Sequence, residues 1–111
     1  MIKILKDTPG HLLIEIEVSE ANLDNSDLFK SQVTELLDRH QKNIVIDFNK
    51  VEYIDSSFIG ALVAILKHAM SQKLDVILTA MRQDVYDLLL LIRLDKVFKI
   101  YGNYNEAAAI L

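Results

Sequence analysis

The chain contains no cysteine, one proline and three glycines in 111 residues. Without cysteine there is no disulfide framework, no thiolate metal site and no cysteine nucleophile. Three glycines cannot build a glycine-rich phosphate cradle, and neither G-x-x-x-x-G-K-[ST] nor G-x-G-x-x-G occurs. Basic charge is also short: 12 Lys+Arg stand against 16 Asp+Glu, a net charge of −4. No basic block appears, which argues against groove-tracking nucleic-acid binding and against a polybasic membrane contact. The longest apolar stretch, Phe58 to Leu66, is nine residues including Gly60, whereas a spanning helix needs about 20. The opening MIKILKDTPG lacks the apolar core of a secretory signal. A soluble, cytoplasmic protein without membrane insertion is the expectation. The three histidines, His11, His40 and His68, have no metal-ligand spacing and read as surface or helix-end residues.

What the chain has is apolar content. Hydrophobic residues make up 51% of it and charged residues 25%, enough for one domain over residues 1–111 to form its own core. Alternation predicts a strand over Ile2 to Lys6 and another over His11 to Val18, joined at Thr8-Pro9-Gly10 as a hairpin with one wet face. A helix follows to about His40, capped by Asp24, Asn25 or Ser26, with Leu28, Phe29, Val33, Leu36 and Leu37 as its apolar stripe. Asn43 to Phe48 reads as a central strand, and Asn49 to Ile54 as a connection anchored by Val51 and Ile54. Asp55-Ser56-Ser57 opens a second helix running to about Gln72. Leu74 to Thr79 is a strand, Arg82 to Arg93 a helix, Val97 to Tyr101 a strand, and Asn103 to Leu111 a short terminal helix. Two leading strands followed by alternating helices and strands imply an α/β domain with a mixed sheet.

No catalytic constellation emerges. Ser56 and His68 lie on one helix about 18 Å apart along its axis, so they form no dyad. Asp47 ends an apolar strand, as in a phosphate-receiving carboxylate, but only Asp7 ends a neighbouring strand as a further acid. An enzyme is therefore the weakest reading, and no cofactor, metal or catalytic residue is assigned.

The informative segment is Ile44 to Leu66, IVIDFNKVEYIDSSFIGALVAIL. An apolar strand ends in Asp47. Val51 and Tyr53-Ile54 anchor a connection, and Asp55-Ser56-Ser57-Phe58-Ile59-Gly60 opens an apolar helix. This pattern resembles the anti-sigma factor antagonist family, the STAS domains. The resemblance covers nearly the whole chain. Leu23-Asp24 matches the family's Leu-Asp before the first helix, and Val85, Leu89, Leu94 and Phe98 match its C-terminal apolar pattern. Three features depart from it: the family usually has Gly where Phe58 and Arg93 stand, and the small residue preceding Leu-Asp is irregular here, in Ser19-Glu20-Ala21-Asn22. The fold it implies has four to five strands in a mixed sheet, with three to four helices packed mainly on one face.

The resemblance implies a partner switch. Ser56 is then the phosphorylation site of a serine kinase that is itself the anti-sigma factor. The unmodified domain binds that protein and frees a sigma factor, and phosphorylation breaks the contact. Asp55 and Ser57 support the site, and the partner surface comprises Asp24, Ser56, Gly60, Val63, Ala64 and Lys67. A phosphate adds about −1.5 to −2 charge, which a helix N-terminus tolerates and a docked, desolvating partner does not. Plain helix capping accounts for the same Asp-Ser-Ser triplet. Gly60 and Ala64 either let a partner backbone approach or pack inside the domain. Phe58 either fills core space or blocks access to Ser56. In the run Leu88 to Ile92, Leu88, Leu89 and Ile92 share the core face. Leu90 and Leu91 point away from it, toward a partner or toward deeper burial. A constitutive STAS scaffold without a phospho-switch, in a stress-signalling or transport-associated assembly, is the alternative.

Overall fold

A computed structural model describes all 111 residues. The alternating N-terminal residues form β1 (Ile2–Asp7) and β2 (His11–Ile16), paired antiparallel across the Thr8–Gly10 turn. Thr8 Oγ1 holds that turn by accepting from the His11 backbone N–H at 3.1 Å. The chain continues through β3 (Glu20–Ala21), α1 (Leu23–His40), β4 (Asn43–Asp47), β5 (Tyr53–Ile54) and α2 (Ser56–Ser71). It ends with β6 (Val76–Thr79), α3 (Gln83–Leu91), a 3-10 turn at Leu94–Lys96, β7 (Lys99–Tyr101) and α4 (Tyr104–Ala108).

Five strands form a mixed sheet in the order β1-β2-β4-β6-β7, in which only β1 runs antiparallel to its neighbour. The expected α/β class, strand number and helix number all hold. One face of the sheet offers Leu12, Ile14, Ile16, Ile44, Ile46, Val76 and Leu78, and these share a core with α1, α2 and α3. The other face carries Leu13, Val45 and Ile77 in register across three strands, covered by Ala107 of α4. The hairpin's second face is thus not wet throughout. Leu13 is 4% exposed because α4 folds back over it. His11, expected at the surface, is buried there too, with Nε2 at 2.7 Å from the Tyr104 hydroxyl.

Among the departures from the sequence pattern, two helix ends and one pair of short strands have identifiable reasons. The cap of α1 is Asn22, not Asp24, Asn25 or Ser26. Its side chain accepts from Asp24 N at 3.0 Å, while Asn25 Oδ1 accepts from Asn22 N at 3.0 Å, a reciprocal capping arrangement. The phase set by Phe29, Val33, Leu36 and Leu37 carries Ser26 inward and leaves Leu28 outside the stripe, exposed. Helix α3 stops at Leu91, and Arg93 adopts a left-handed conformation with φ 62°. Ile92 therefore leaves the helical face and is exposed, as are Leu90 and Leu91, whereas Val85 and Leu89 stay in the core. The two-residue strands β3 and β5 pair in parallel as a separate small sheet.

Candidate functional site

The N-terminus of α2 is placed by anchors on both sides. After β4, Phe48 and Val51 are fully buried, and Ile54 is nearly so. Between them the Asp47 carboxylate accepts from Asn49 N at 2.7 Å and folds the connection. β5 then pairs with β3, Glu20 opposite Tyr53 and Ala21 opposite Ile54. One residue further, Asp55 N donates to Ala21 O at 3.0 Å. This small sheet brings the start of α1 beside the start of α2.

Asp55 is the N-cap of α2, accepting from Phe58 N at 3.0 Å through Oδ1. Its other oxygen, Oδ2, accepts from Leu23 N at 2.9 Å, the first residue of α1. Asp55 alone makes the cap, so neither serine hydroxyl is used in it. Ser57 is thus not a capping residue, although its position allowed that reading. Ser56 occupies the first helical position and is exposed, while Ser57 is half-buried. Asp55 takes Phe58 N, and the first turn of α2 contains no further acidic residue, which leaves partial positive charge at this helix start.

The two faces of α2 separate cleanly. Phe58, Leu62, Ile65, Leu66 and Ala69 are buried, joined by Ala61. Phe58 stacks on Phe29 of α1 with ring centroids 4.5 Å apart and planes at 27°. The ring fills the core and points away from Ser56. On the outer side Ser56, Gly60 and Lys67 are exposed, and Val63 and Ala64 are half-buried. A Cβ built on Gly60 would meet nothing within 4 Å, so this glycine does not pack against another element of the domain. Ser56 and Lys67 lie about 16 Å apart along the helix. Asp24, in the first turn of α1, is exposed beside Leu23.

Two side chains complete this corner that the sequence pattern placed only as a motif match, Leu23, and as an anchor of the connection, Tyr53, a role that Val51 and Ile54 fill without it. Leu23 is 69% exposed and Tyr53 55%. Their signal in sequence was weak, because an apolar residue at a helix start or in a short strand ordinarily reads as core.

The remaining sequence candidates lie elsewhere. His68 faces Asp38 of α1 at 2.7 Å, far down α2 from Ser56. Burial raises the Asp47 carboxyl above its ordinary value. No group of three or more His, Asp or Glu residues is arranged to hold a metal ion.

The family model described as STAS domain matches residues 3–107. A curated protein of Thermotoga neapolitana, named "Putative anti-sigma factor antagonist TM1081 homolog", is 33% identical over 106 residues, 95% of this chain and 90% of that protein. A Thermotoga maritima protein of like designation has a crystal structure with a TM-score of 0.79 at 30% identity, covering 98% of this chain and 91% of that one. The phosphorylated form of the Bacillus cell fate determinant SpoIIAA gives a TM-score of 0.73 over 98% of this chain and 97% of that one. At 13% identity it shows the fold alone. The chain belongs to the STAS domain family, and it is similar to proteins designated anti-sigma factor antagonists.

Proposed function

We propose that this chain is a cytoplasmic, phosphorylation-controlled protein-binding module. Its unmodified form binds a serine kinase that is also an anti-sigma factor and thereby releases a sigma factor. Phosphorylation of Ser56 ends that contact. The observation that carries this reading is the setting of Ser56. It is exposed at the first position of α2, left out of the cap by Asp55, and flanked by exposed Leu23, Tyr53 and Gly60.

The covalent step belongs to the kinase. Ser56 Oγ forms a bond to the terminal phosphorus of a nucleoside triphosphate, and that phosphorus loses its bond to the bridging oxygen. Nucleoside diphosphate leaves, and the hydroxyl proton passes to a base on the kinase. The helix N-terminus accepts the new charge, so the fold survives. A partner that covers Ser56 must desolvate the phosphate without a counter-charge, and it dissociates.

The test uses the immobilised chain and host extract. A protein with kinase activity, identified by mass, is retained by the wild type and lost with Ser56→Asp, while Ser56→Ala keeps it. Retention of the same kinase by Ser56→Asp overturns the switch and leaves a constitutive STAS scaffold.

A further inference from the structure

Asp55 uses its two carboxylate oxygens on two different helices. Oδ1 holds Phe58 N of α2 at 3.0 Å, and Oδ2 holds Leu23 N of α1 at 2.9 Å. Its own backbone N–H is fixed on Ala21 O at 3.0 Å, which limits how far the carboxylate can drift. Within α1 the neighbouring donors have other acceptors. Asp24 N is held by Asn22 Oδ1, and Asn25 N by Asn22 O. Leu23 N thus depends on Asp55.

The carboxylate is held between the positive ends of two helices by charge-assisted bonds. A negative charge on the adjacent Ser56 repels it and competes for the same first-turn donors of α2. Inside α2 the newcomer can take over the donor that Asp55 gives up. At α1 no group replaces the lost bond.

We propose that Asp55 is a positioning residue that couples Ser56 to the first turn of α1. Charge on Ser56 weakens the bond between Asp55 and Leu23. Exposed Leu23 and Asp24 are then released from the place they hold beside α2. The regulatory use of this coupling rests on the switch reading above, but the coupling belongs to the chain and is measurable without a kinase.

Amide hydrogen exchange of Leu23 and Phe58, read by NMR on the full chain, tests it in four proteins: wild type, Ser56→Glu, Asp55→Asn and the double variant. Asparagine still caps Phe58 N, since it is as good an N-cap as aspartate, but it brings a single acceptor oxygen. Ser56→Glu is expected to speed exchange at Leu23 roughly tenfold. Asp55→Asn does the same while Phe58 keeps its protection, and the double variant adds nothing further at Leu23. Unchanged Leu23 exchange in Ser56→Glu, or effects that multiply in the double variant, overturns the proposal. Should Asp55→Asn unfold, Ser56→Glu alone decides it. Faster Leu23 exchange in a chain that no host kinase modifies supports the coupling and removes the switch. A phosphorylated Ser56 with unchanged Leu23 exchange does the reverse.

Discussion

Ser56 and Phe58 stand two positions apart on α2 with opposite surroundings, one in solvent and one against Phe29. Their substitutions should separate accordingly. Phe58→Ala leaves a cavity beside Phe29 and is expected to cost about 3–5 kcal/mol in urea denaturation. Ser56→Asp adds a charge at a helix start and should shift stability by about 0.5 kcal/mol or less. Asp47 offers a pH test. Burial, with Glu15 adding to it, raises its pKa against the bond from Asn49 N–H and the pull of Lys50. The folded chain therefore holds this proton more tightly than the unfolded chain does. The resulting cost is present above the folded pKa and disappears as pH falls below the ordinary carboxylate value. Asp47→Asn should raise the melting temperature at pH 7, with the gain shrinking to nothing on acidification. Asp7, bonded to Lys42, and Asp38, bonded to His68, have lowered pKa values. Their stabilisation is present at neutral pH and is lost as pH falls through the acidic range.

Helix α3 carries the prediction at the scale of elements. Arg93 sits at φ 62° just past the helix end, a position that favours glycine and strains other residues. Arg93→Gly is expected to add about 1 kcal/mol, net of glycine's greater freedom when unfolded. A rise in the urea midpoint with an unchanged slope checks it. The same position explains why the end of α3 was misread. Leu88 to Ile92 is apolar without a break, so periodicity has no polar residue at which to stop the helix. The start of α1 was missed because Asn22, Asp24, Asn25 and Ser26 are all competent caps, and the choice rests on contacts with Asn25 and Asp55. β3 and β5 were illegible, since two residues carry no period. Most of the inward face of α2 follows from one strong 3.6-residue stripe running from Phe58 to Ala69, and Ala61 at its edge is small enough to be buried without marking the pattern.

For the whole molecule, the far side of the sheet depends on α4. Leu13, Val45 and Ile77 form one apolar row, and Ala107 is the buried residue that closes it. Ala107→Glu should undock this short helix and lower stability by roughly 1–3 kcal/mol. Solvent protection should fall at Leu13 and Ile77 and stay intact in α1 and α2. The sequence suggested a short final helix but not its place. The covering contact spans more than 90 residues, from His11 to Tyr104, and no local pattern encodes it. The candidate site has the same character. Asp55, Ser56 and the outer stripe of α2 were readable as a motif, whereas Leu23 and Tyr53 join them only through the pairing of β3 with β5. Modification of Ser56 is the step on which the proposed switch depends. The direct measurement is to incubate the purified chain with ATP and an extract of its native host whose kinases are shown to be active, and to map phosphate by peptide mass. Phosphate on Ser56, absent from Ser56→Ala, is the predicted result. An unmodified Ser56, or phosphate confined to Ser57, would contradict it.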